Sequence, residues 1–183
     1  PEPRRLERDE ALAELARRFV RSHGPATEKD LAGWTGLALG DVRRGVAALG
    51  DELATVDVDG TTHLVTTALL DEAPTIVRRK VGLRLLLGFD EQVLGYKDRS
   101  LVVAAEHAGK VVPGNNGMFL PTIVEDGEVI GLWKRQVKAR RVDVRFVPFG
   151  ALSAAQAKAA RRAGEAYAAF LGREAAFPEL DVS

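Results

Sequence analysis

Apolar residues near the start of the chain recur at helical spacing in three short stretches, which glycine and proline separate. The first stretch predicts a helix over residues 9–23, and one face of that helix carries Leu12, Leu15, Phe19 and Val20. Thr27 is placed to cap a second helix, which ends at Gly36 because glycine suits the left-handed position after a helix. A third helix begins near Leu39, with apolar and basic residues on different faces.

A β-hairpin is predicted directly after the third helix. Two β-rich runs, 53–58 and 61–66, flank Asp59-Gly60, and both positions of such a tight turn need a positive φ. Three helices and a hairpin in this order predict a winged helix-turn-helix over residues 9–67. Because that fold is mostly a reader of nucleic acid, it favours a DNA-binding function before any catalytic motif is considered.

The second half of the chain predicts a small β-meander domain, residues 78–172, after a linker over residues 67–80. A continuous apolar run at 83–89 indicates a buried strand. Ser153 caps a long C-terminal helix, after which we expect a loosely packed tail. The apolar stripe of that helix is formed by Ala163, Tyr167, Phe170 and Leu171. The fold class is therefore α+β, a winged helix-turn-helix followed by a β-meander that a C-terminal helix closes.

Two consecutive hairpins form the predicted meander. Residues 119–124 are expected to pair with 128–133 across Asp126-Gly127, which repeats the turn signal of the wing. Strand character returns at 142–146, so the segment before it becomes the tip of a second hairpin. This hairpin carries the densest basic cluster of the chain, which consists of Lys134, Arg135, Lys138, Arg140 and Arg141.

Composition excludes several classes of protein. With 183 residues, of which 46% are hydrophobic, the chain can bury a sizeable core. It has no cysteine, which excludes a disulfide framework and a thiolate zinc site and fits a reducing cytoplasm. No apolar run approaches the ~20 residues of a membrane span, so no membrane partner is expected. The chain begins with Pro1 and its one methionine is Met118, so we expect it to be a piece of a longer protein.

The net charge of zero hides an uneven distribution. Residues 9–66 contain 6 basic and 10 acidic residues, whereas residues 78–145 contain 13 basic and 8 acidic residues. Binding to the phosphate backbone needs positive charge that faces it. We therefore expect the second segment to supply much of any DNA contact, with the helix-turn-helix as a supporting scaffold.

Each candidate DNA contact has an ordinary structural alternative. Arg43 and Arg44 lie where a recognition helix meets a groove, or they belong to a solvated face beside Asp41. The basic hairpin can line a DNA backbone or enter a minor groove. Alternatively, its charges keep an edge strand soluble.

The polar segment 90–100 is a further candidate site. Lys97 and Arg99 could bind phosphate, and the carboxylates of Asp90 and Glu91 could take part in acid–base chemistry. The alternative is an internal network of salt bridges and helix caps that locks the two subdomains. Neighbouring residues on a helix point in different directions, which favours the network for the two acids.

The sequence predicts no metal site, no cofactor and no nucleophilic serine. Three convergent ligands would be needed for a metal, and the histidines are far apart, at His23, His63 and His107. We interpret Trp34 and Trp133 as core residues and not as stacking platforms for bases.

Four strings occur in order along the chain: HGPATEKDLAGWTGL, GFDEQVLGYKDRS, NGMFLPTIVEDGEVIGLWKR and AYAAFLG. They resemble the winged-helix DNA glycosylase family, whose members are built from tandem winged helices and include bacterial enzymes acting on bulky or crosslinked purine adducts. The resemblance extends over nearly the whole chain, about residues 11–172. The resemblance implies that this chain corresponds to the C-terminal portion of such a protein.

The catalytic motif of that family is a Gln-apolar-Gln or Gln-apolar-Asp triplet in the N-terminal half, and no such triplet occurs here. The glutamines Gln92, Gln136 and Gln156 are followed two residues later by Leu94, Lys138 and Lys158. We therefore predict no catalytic residue in this chain. Whether the parent is an active hydrolase of N-glycosidic bonds stays open, and this fragment alone is expected to be inactive.

The leading interpretation is a DNA-binding portion of a repair protein of this kind, with double-stranded DNA and the N-terminal half of the parent chain as partners. The predicted DNA-contacting residues are Arg43, Arg44, Lys97, Arg99, Lys134, Arg135, Lys138, Arg140 and Arg141. Two alternatives remain: a winged-helix transcriptional regulator with sequence-specific binding, and a winged-helix module that binds another protein.

Overall fold

The computed structural model describes residues 5–76 and 79–178, which form two compact units. The first unit comprises the described residues up to Arg79 together with Gly95–Asp98. The second comprises Lys80–Leu94 and the described residues from Arg99 onward. The fold class is α+β, as the sequence predicted: a winged helix-turn-helix in the first unit and a sheet with a C-terminal helix in the second.

The first unit begins with three helices that the sequence signals place correctly. They are α1 (Arg8–His23), α2 (Glu28–Thr35) and α3 (Leu39–Ala47), and a 3₁₀ turn at Gly50–Glu52 follows. The Thr27 hydroxyl accepts from the Asp30 backbone N–H, and the Asp30 carboxylate accepts from the Thr27 backbone N–H, which is a reciprocal capping box. Gly36 ends α2 with a φ of 71°.

The predicted wing is confirmed as β1 (Leu53–Val58) paired antiparallel with β2 (Thr61–Thr66). Its turn residues Asp59 and Gly60 have φ values of 52° and 77°. The predicted linker 67–80 is wrong over most of its length, because Thr67–Ile76 forms helix α4. The Thr66 hydroxyl accepts from the Leu69 N–H and so caps this helix, and good helix formers follow it.

The core of the first unit is built on the inner faces of the three helices and on β2. Its most buried side chains include Phe19, Val20, Leu31 and Val42. Two predicted core residues are wrong: Leu15 is 38% exposed and Trp34 is 49% exposed. The neighbouring Ala16 is buried in the core, at 1% exposed, so the buried face of α1 passes through Ala16 and not through Leu15.

A cluster of ion pairs joins α1 to the 3₁₀ turn. Arg17 lies 2.6 Å from a carboxylate oxygen of Glu14 and 2.7 Å from one of Glu52. Hydrogen bonds from Arg18 and Arg17 lower the pKa of Glu14 below its usual 4.5, and the hydrogen bond from Arg17 lowers that of Glu52. The pKa of Arg17 is raised by the same partners.

These directions predict how Arg17→Met will change the pH dependence of unfolding. Carboxylates with lowered pKa values stabilise the fold above their unfolded pKa, and this contribution disappears as the pH falls through the folded values. The variant should therefore be less stable than wild type at about pH 7 and equal to it at about pH 3. Urea denaturation at both pH values measures this, and an equal deficit at both would contradict the assignment.

The second unit is organised around a five-stranded sheet in the order β3-β4-β5-β6-β7. The strands are β3 (Leu83–Leu86), β4 (Thr122–Glu125), β5 (Glu128–Val137), β6 (Arg141–Pro148) and β7 (Glu174–Ala176). The first four pair antiparallel, which confirms both predicted hairpins, and β7 pairs parallel with β6.

Two expectations about the ends of this sheet are corrected. The apolar run 83–89 was expected to be a buried strand, but β3 is an edge strand whose side chains are only partly buried. The tail after Gly172 was expected to be loosely packed, but residues 174–176 add the strand at the other edge. The last five residues of the predicted tail, 179–183, lie outside the described residues.

Helices cover both faces of the sheet. On one face, α7 (Ala154–Phe170) packs against Trp133, Val142 and Val144, and Ser153 caps it as predicted. On the other face, α5 (Glu91–Leu94), α6 (Ala108–Val111) and short 3₁₀ turns at Ala105–His107 and Pro113–Asn115 cover one end of the sheet. The buried row of α7 consists of Ala157, Ala160, Gly164 and Ala168.

The predicted stripe of α7 is therefore wrong for Phe170, which is 85% exposed. Small residues let the helix lie close to the sheet, and this selects the alanine row over the aromatic position. Within the described residues, no helix has both the length and the apolar character needed to cross a membrane.

Candidate nucleic-acid interface

The β5–β6 hairpin brings four cations to one face of the sheet. Lys134 lies directly opposite Arg145 in the antiparallel register, and Gln136 lies opposite Asp143. Residues directly opposite each other share a face of the sheet, and side chains along each strand alternate between the two faces. Lys134, Gln136, Asp143 and Arg145 therefore all point to the same face. Towards the tip, the side chains of Lys138 and Arg141 also reach Asp143. We call the group of Lys134, Lys138, Arg141, Asp143 and Arg145 the open-face cluster.

Asp143 is the one carboxylate inside this cluster. The Lys138 ammonium and the Arg141 guanidinium both form ion pairs with it, the latter with Nε 2.9 Å from Oδ1. The hydrogen bond from Lys138 is the main reason that the pKa of Asp143 is lowered, so the group is ionised at neutral pH. The cluster holds one negative and four positive side chains, so its surface is cationic. Where β6 pairs with β7, Glu174 lies beside Arg141.

The structure separates Arg135 from the other basic hairpin residues. Its guanidinium carbon lies 5.4 Å from the ring centroid of Trp133 and 5.6 Å from that of Tyr167 on α7. Arg135 therefore packs on aromatic rings on the opposite face of the sheet, as the two-residue period of a strand requires. Arg140 lies at the tip between the strands, and its carbonyl accepts from the Glu174 N–H.

Arg145 belongs to the open-face cluster although the sequence analysis did not select it. The signal was present in the alternation of Asp143 and Arg145 with Val142, Val144 and Phe146. Reading that alternation together with the hairpin register would have placed Arg145 opposite Lys134.

The arginines of α3 are engaged by carboxylates of their own unit. Arg43 donates from Nε to Glu28 at 3.0 Å, and Arg44 donates to Asp9 at 2.5 Å, with Asp41 3.7 Å away. The side chains of Arg43, Arg44 and Asp9 are exposed to solvent, whereas Glu28 and Asp41 are partly buried. The arrangement is the one that the sequence analysis described as a solvated face beside Asp41.

Residues of the polar segment 90–100 belong to both units, and in each unit they form hydrogen bonds that hold the segment in place. In the second unit, Asp90 accepts from the Gln92 N–H, and Arg99 donates to the Val93 carbonyl while its guanidinium lies over Phe119, 4.8 Å from the ring centroid. In the first unit, the Lys97 backbone N–H donates to Asp30 at 2.6 Å. Asp90 thus caps α5.

The histidines occupy packing positions. His23 stacks on Phe19 with a centroid separation of 4.5 Å, and His63 is buried with Nδ1 2.9 Å from the Thr61 carbonyl oxygen. Over residues 5–76 and 79–178, no group of three histidine or acidic side chains is arranged to hold a metal ion.

Comparison with known proteins identifies the family. A family model described as DNA glycosylase AlkZ-like matches residues 1–170. The chain belongs to the AlkZ-like DNA glycosylase family. The resemblance seen in the four sequence strings is thereby confirmed.

Two relatives of this AlkZ-like chain come from Streptomyces sahachiroi. The chain is 33% identical over 137 residues to an interstrand DNA cross-link repair glycosylase, and the aligned region covers 73% of this chain and 35% of that protein. It is also similar to the solved structure of the DNA glycosylase AlkZ, with a TM-score of 0.74 and 28% identity over 96% of this chain and 47% of that one. The chain thus spans between about a third and a half of the length of these relatives.

Proposed function

We propose that this AlkZ-like chain is the duplex-holding portion of a repair glycosylase and that the open-face cluster is its main DNA contact. The observation that carries the proposal is the presence of four cations on one sheet face, two of which pair with the carboxylate of Asp143. Lys134, which lies opposite Arg145, forms no ion pair with any described residue, so its ammonium is available to a phosphate. Phosphate contacts of this type fix orientation without reading sequence.

In this proposal, bond cleavage is performed elsewhere in a longer polypeptide. The family's glutamine triplet is missing here, so hydrolysis of the glycosidic bond of a damaged purine would require the N-terminal half of the parent. A cationic purine adduct is already a good leaving group, and the remaining task of this portion is to hold and shape the duplex. The relatives' names support DNA as the partner.

Fluorescence anisotropy with two duplexes of unrelated sequence tests the binding. We expect similar affinities for both and a linear fall of log Kobs with log salt, with a slope of about −0.9 per phosphate contacted. A strong preference for one sequence would favour a transcriptional regulator. Failure to bind any duplex at about 0.05 M salt would contradict the proposal and favour a protein-interaction module.

Excision assays test the assignment of chemistry. We expect a longer form carrying the N-terminal half to release an alkylated purine from duplex DNA, and this chain alone to release none. Release by this chain alone would show that it holds catalytic groups. Absence of release by a correctly folded longer form would contradict the glycosylase assignment.

Removing the negative charge from the open-face cluster should tighten DNA binding. Asp143→Asn removes the carboxylate that pairs with Lys138 and Arg141 while it keeps the shape of the side chain, so we expect affinity to rise about 2- to 5-fold at about 0.1 M salt. A salt titration by anisotropy measures it, with Glu106→Gln, an exposed carboxylate far along the chain, as a control. Unchanged or weaker binding of a folded Asp143→Asn variant would contradict the prediction.

A further inference from the structure

We infer that Lys97 is a phosphate-contacting residue of the winged-helix unit and that Gly33 is the positioning residue that holds its side chain in place. The inference rests on the proposed function, and it adds a second DNA contact on an element that is otherwise acidic. Its basis is the way the segment Gly95–Asp98 is bound onto α2.

The backbone of this segment is fixed by a buried carboxylate. Asp30 is 3% exposed, and its Oδ2 accepts from the backbone N–H of Thr27 at 2.8 Å and from the Thr27 hydroxyl at 2.7 Å. Its other oxygen, Oδ1, accepts from the Lys97 N–H at 2.6 Å. One carboxylate therefore caps α2 and holds the backbone of Lys97 at the same time.

Tyr96 anchors the same segment from the other side. Its hydroxyl donates to the carbonyl of His23 at 2.8 Å, and its ring packs against the core of the unit, with its centroid 6.0 Å from that of His23. Two consecutive residues, Tyr96 and Lys97, are thus bound to α1 and α2 by short hydrogen bonds. A side chain at position 97 consequently has a defined origin on the helix surface.

The stem of Lys97 lies across α2 at Gly33. A Cβ atom built on Gly33 would lie 2.3 Å from Lys97 Cε and 3.2 Å from Cδ and Cγ. A side chain at position 33 cannot share this space, so the absence of one creates the channel along which the lysine runs. Gly33 costs helix stability relative to alanine, which makes its presence informative.

The charge at the end of this stem is available. Ion pairs with carboxylates engage several arginines of this unit, namely Arg8, Arg17, Arg18, Arg43 and Arg44. Lys97 is exposed and forms no ion pair with the part of the chain that the structure describes. In a helix-turn-helix, the first of the two helices crosses the DNA backbone, and α2 is that helix here. The ammonium of Lys97, whose stem lies across α2, is therefore positioned to contact a phosphate of the DNA backbone.

Gly33→Ala separates positioning from folding. The three atoms nearest to the new methyl all belong to the flexible stem of Lys97, and the methyl lies in a helix interior, so the fold should be as stable as wild type or more so. It displaces Lys97, so we expect duplex affinity of the 183-residue chain to fall about 2- to 10-fold at about 0.1 M salt. Gly40→Ala in α3 is the matched control, because a Cβ there meets nothing within 4 Å.

Lys97→Met removes the charge and keeps the stem. We expect about 5- to 10-fold weaker binding and a salt slope smaller by about one unit, with unchanged stability. If Gly33 acts through Lys97, adding Gly33→Ala to Lys97→Met should change neither affinity nor slope further.

The outcomes distinguish this inference from the proposed function. Wild-type affinity and slope in both Lys97→Met and Gly33→Ala, with duplex binding by the parent chain intact, would overturn the inference alone. A further loss from Gly33→Ala in the Lys97→Met background would overturn the positioning role. Absence of duplex binding by the wild-type chain would overturn both the inference and the proposed function.

Discussion

Replacing Lys134 and Arg141 together with glutamine is expected to weaken duplex binding by about 10- to 100-fold at about 0.1 M salt. Both side chains belong to the open-face cluster, and each removed phosphate contact lowers the salt slope by about 0.9. The slope should therefore fall by nearly two units. Anisotropy titrations at several salt concentrations measure affinity and slope in the same experiment.

The choice of these two residues protects the fold. Lys138 stays in place, so the carboxylate of Asp143 keeps one of its ion-pair partners and is not left as an isolated charge. Lys134 and Arg141 are exposed, and replacing exposed charges usually changes stability little. Urea denaturation of the variant should therefore match that of wild type.

The matched control removes two charges from the other side of the sheet. Lys158 and Arg162 are exposed on α7, which covers the opposite face, so Lys158→Gln with Arg162→Gln changes net charge equally. We expect less than about a threefold loss of affinity from this variant, because only long-range attraction is reduced. Equal losses in the two double variants would mean that binding follows net charge and not the open-face cluster.

Local signals in the sequence predicted local structure well. The caps at Thr27 and Ser153 and the two Asp-Gly turns each depend on a few neighbouring residues whose backbone preferences are strong. They predicted where α2 and α7 begin and the positions of four hairpin strands. This is why the order of elements in both units could be predicted without knowledge of the packing.

Positions that depend on packing between distant segments could not be predicted in this way. Phe170 has helical spacing from apolar neighbours, yet it is exposed because a row of small residues brings α7 close to the sheet. Trp34 lies on the same helix as buried Leu31, yet it is 49% exposed. Helix α4 lies where acidic residues and Pro74 indicated a linker, since the Thr66 cap outweighs them. The strand β3 is at an edge because no further strand pairs with it among the described residues.

The candidate interface was half predictable for the same reason. The density of basic residues located the hairpin, but it does not show which face of the sheet each side chain points to. The sequence analysis therefore grouped Arg135 with the cluster and omitted Arg145. The pairing of Lys134 with Arg145 decides both cases. For Lys97, no sequence signal indicated a role for Gly33, because the contact joins segments that lie more than sixty residues apart.

Trp133→Ala is expected to cost about 3–5 kcal/mol of unfolding free energy in the second unit. The indole is 1% exposed, its Nε1 donates to the Leu86 carbonyl at 2.7 Å, and its edge packs on Tyr167 with centroids 5.1 Å apart. The variant loses the buried volume and leaves a strand carbonyl without its donor. Urea denaturation followed by circular dichroism measures the loss.

The chain contains its own control for this prediction, since its other tryptophan is half exposed. Trp34→Ala should cost about 1 kcal/mol, because Trp34 is 49% exposed and packs on the rings of Phe19 and His23. Equal costs at both positions would contradict the packing argument.

Burial of Trp133 also determines which way the next residue points: with the indole fixed against α7, Lys134 must face the opposite side. Loss of Trp133 should therefore weaken duplex binding as the strand loses its register, whereas Trp34→Ala should leave the hairpin's contribution to the salt slope unchanged.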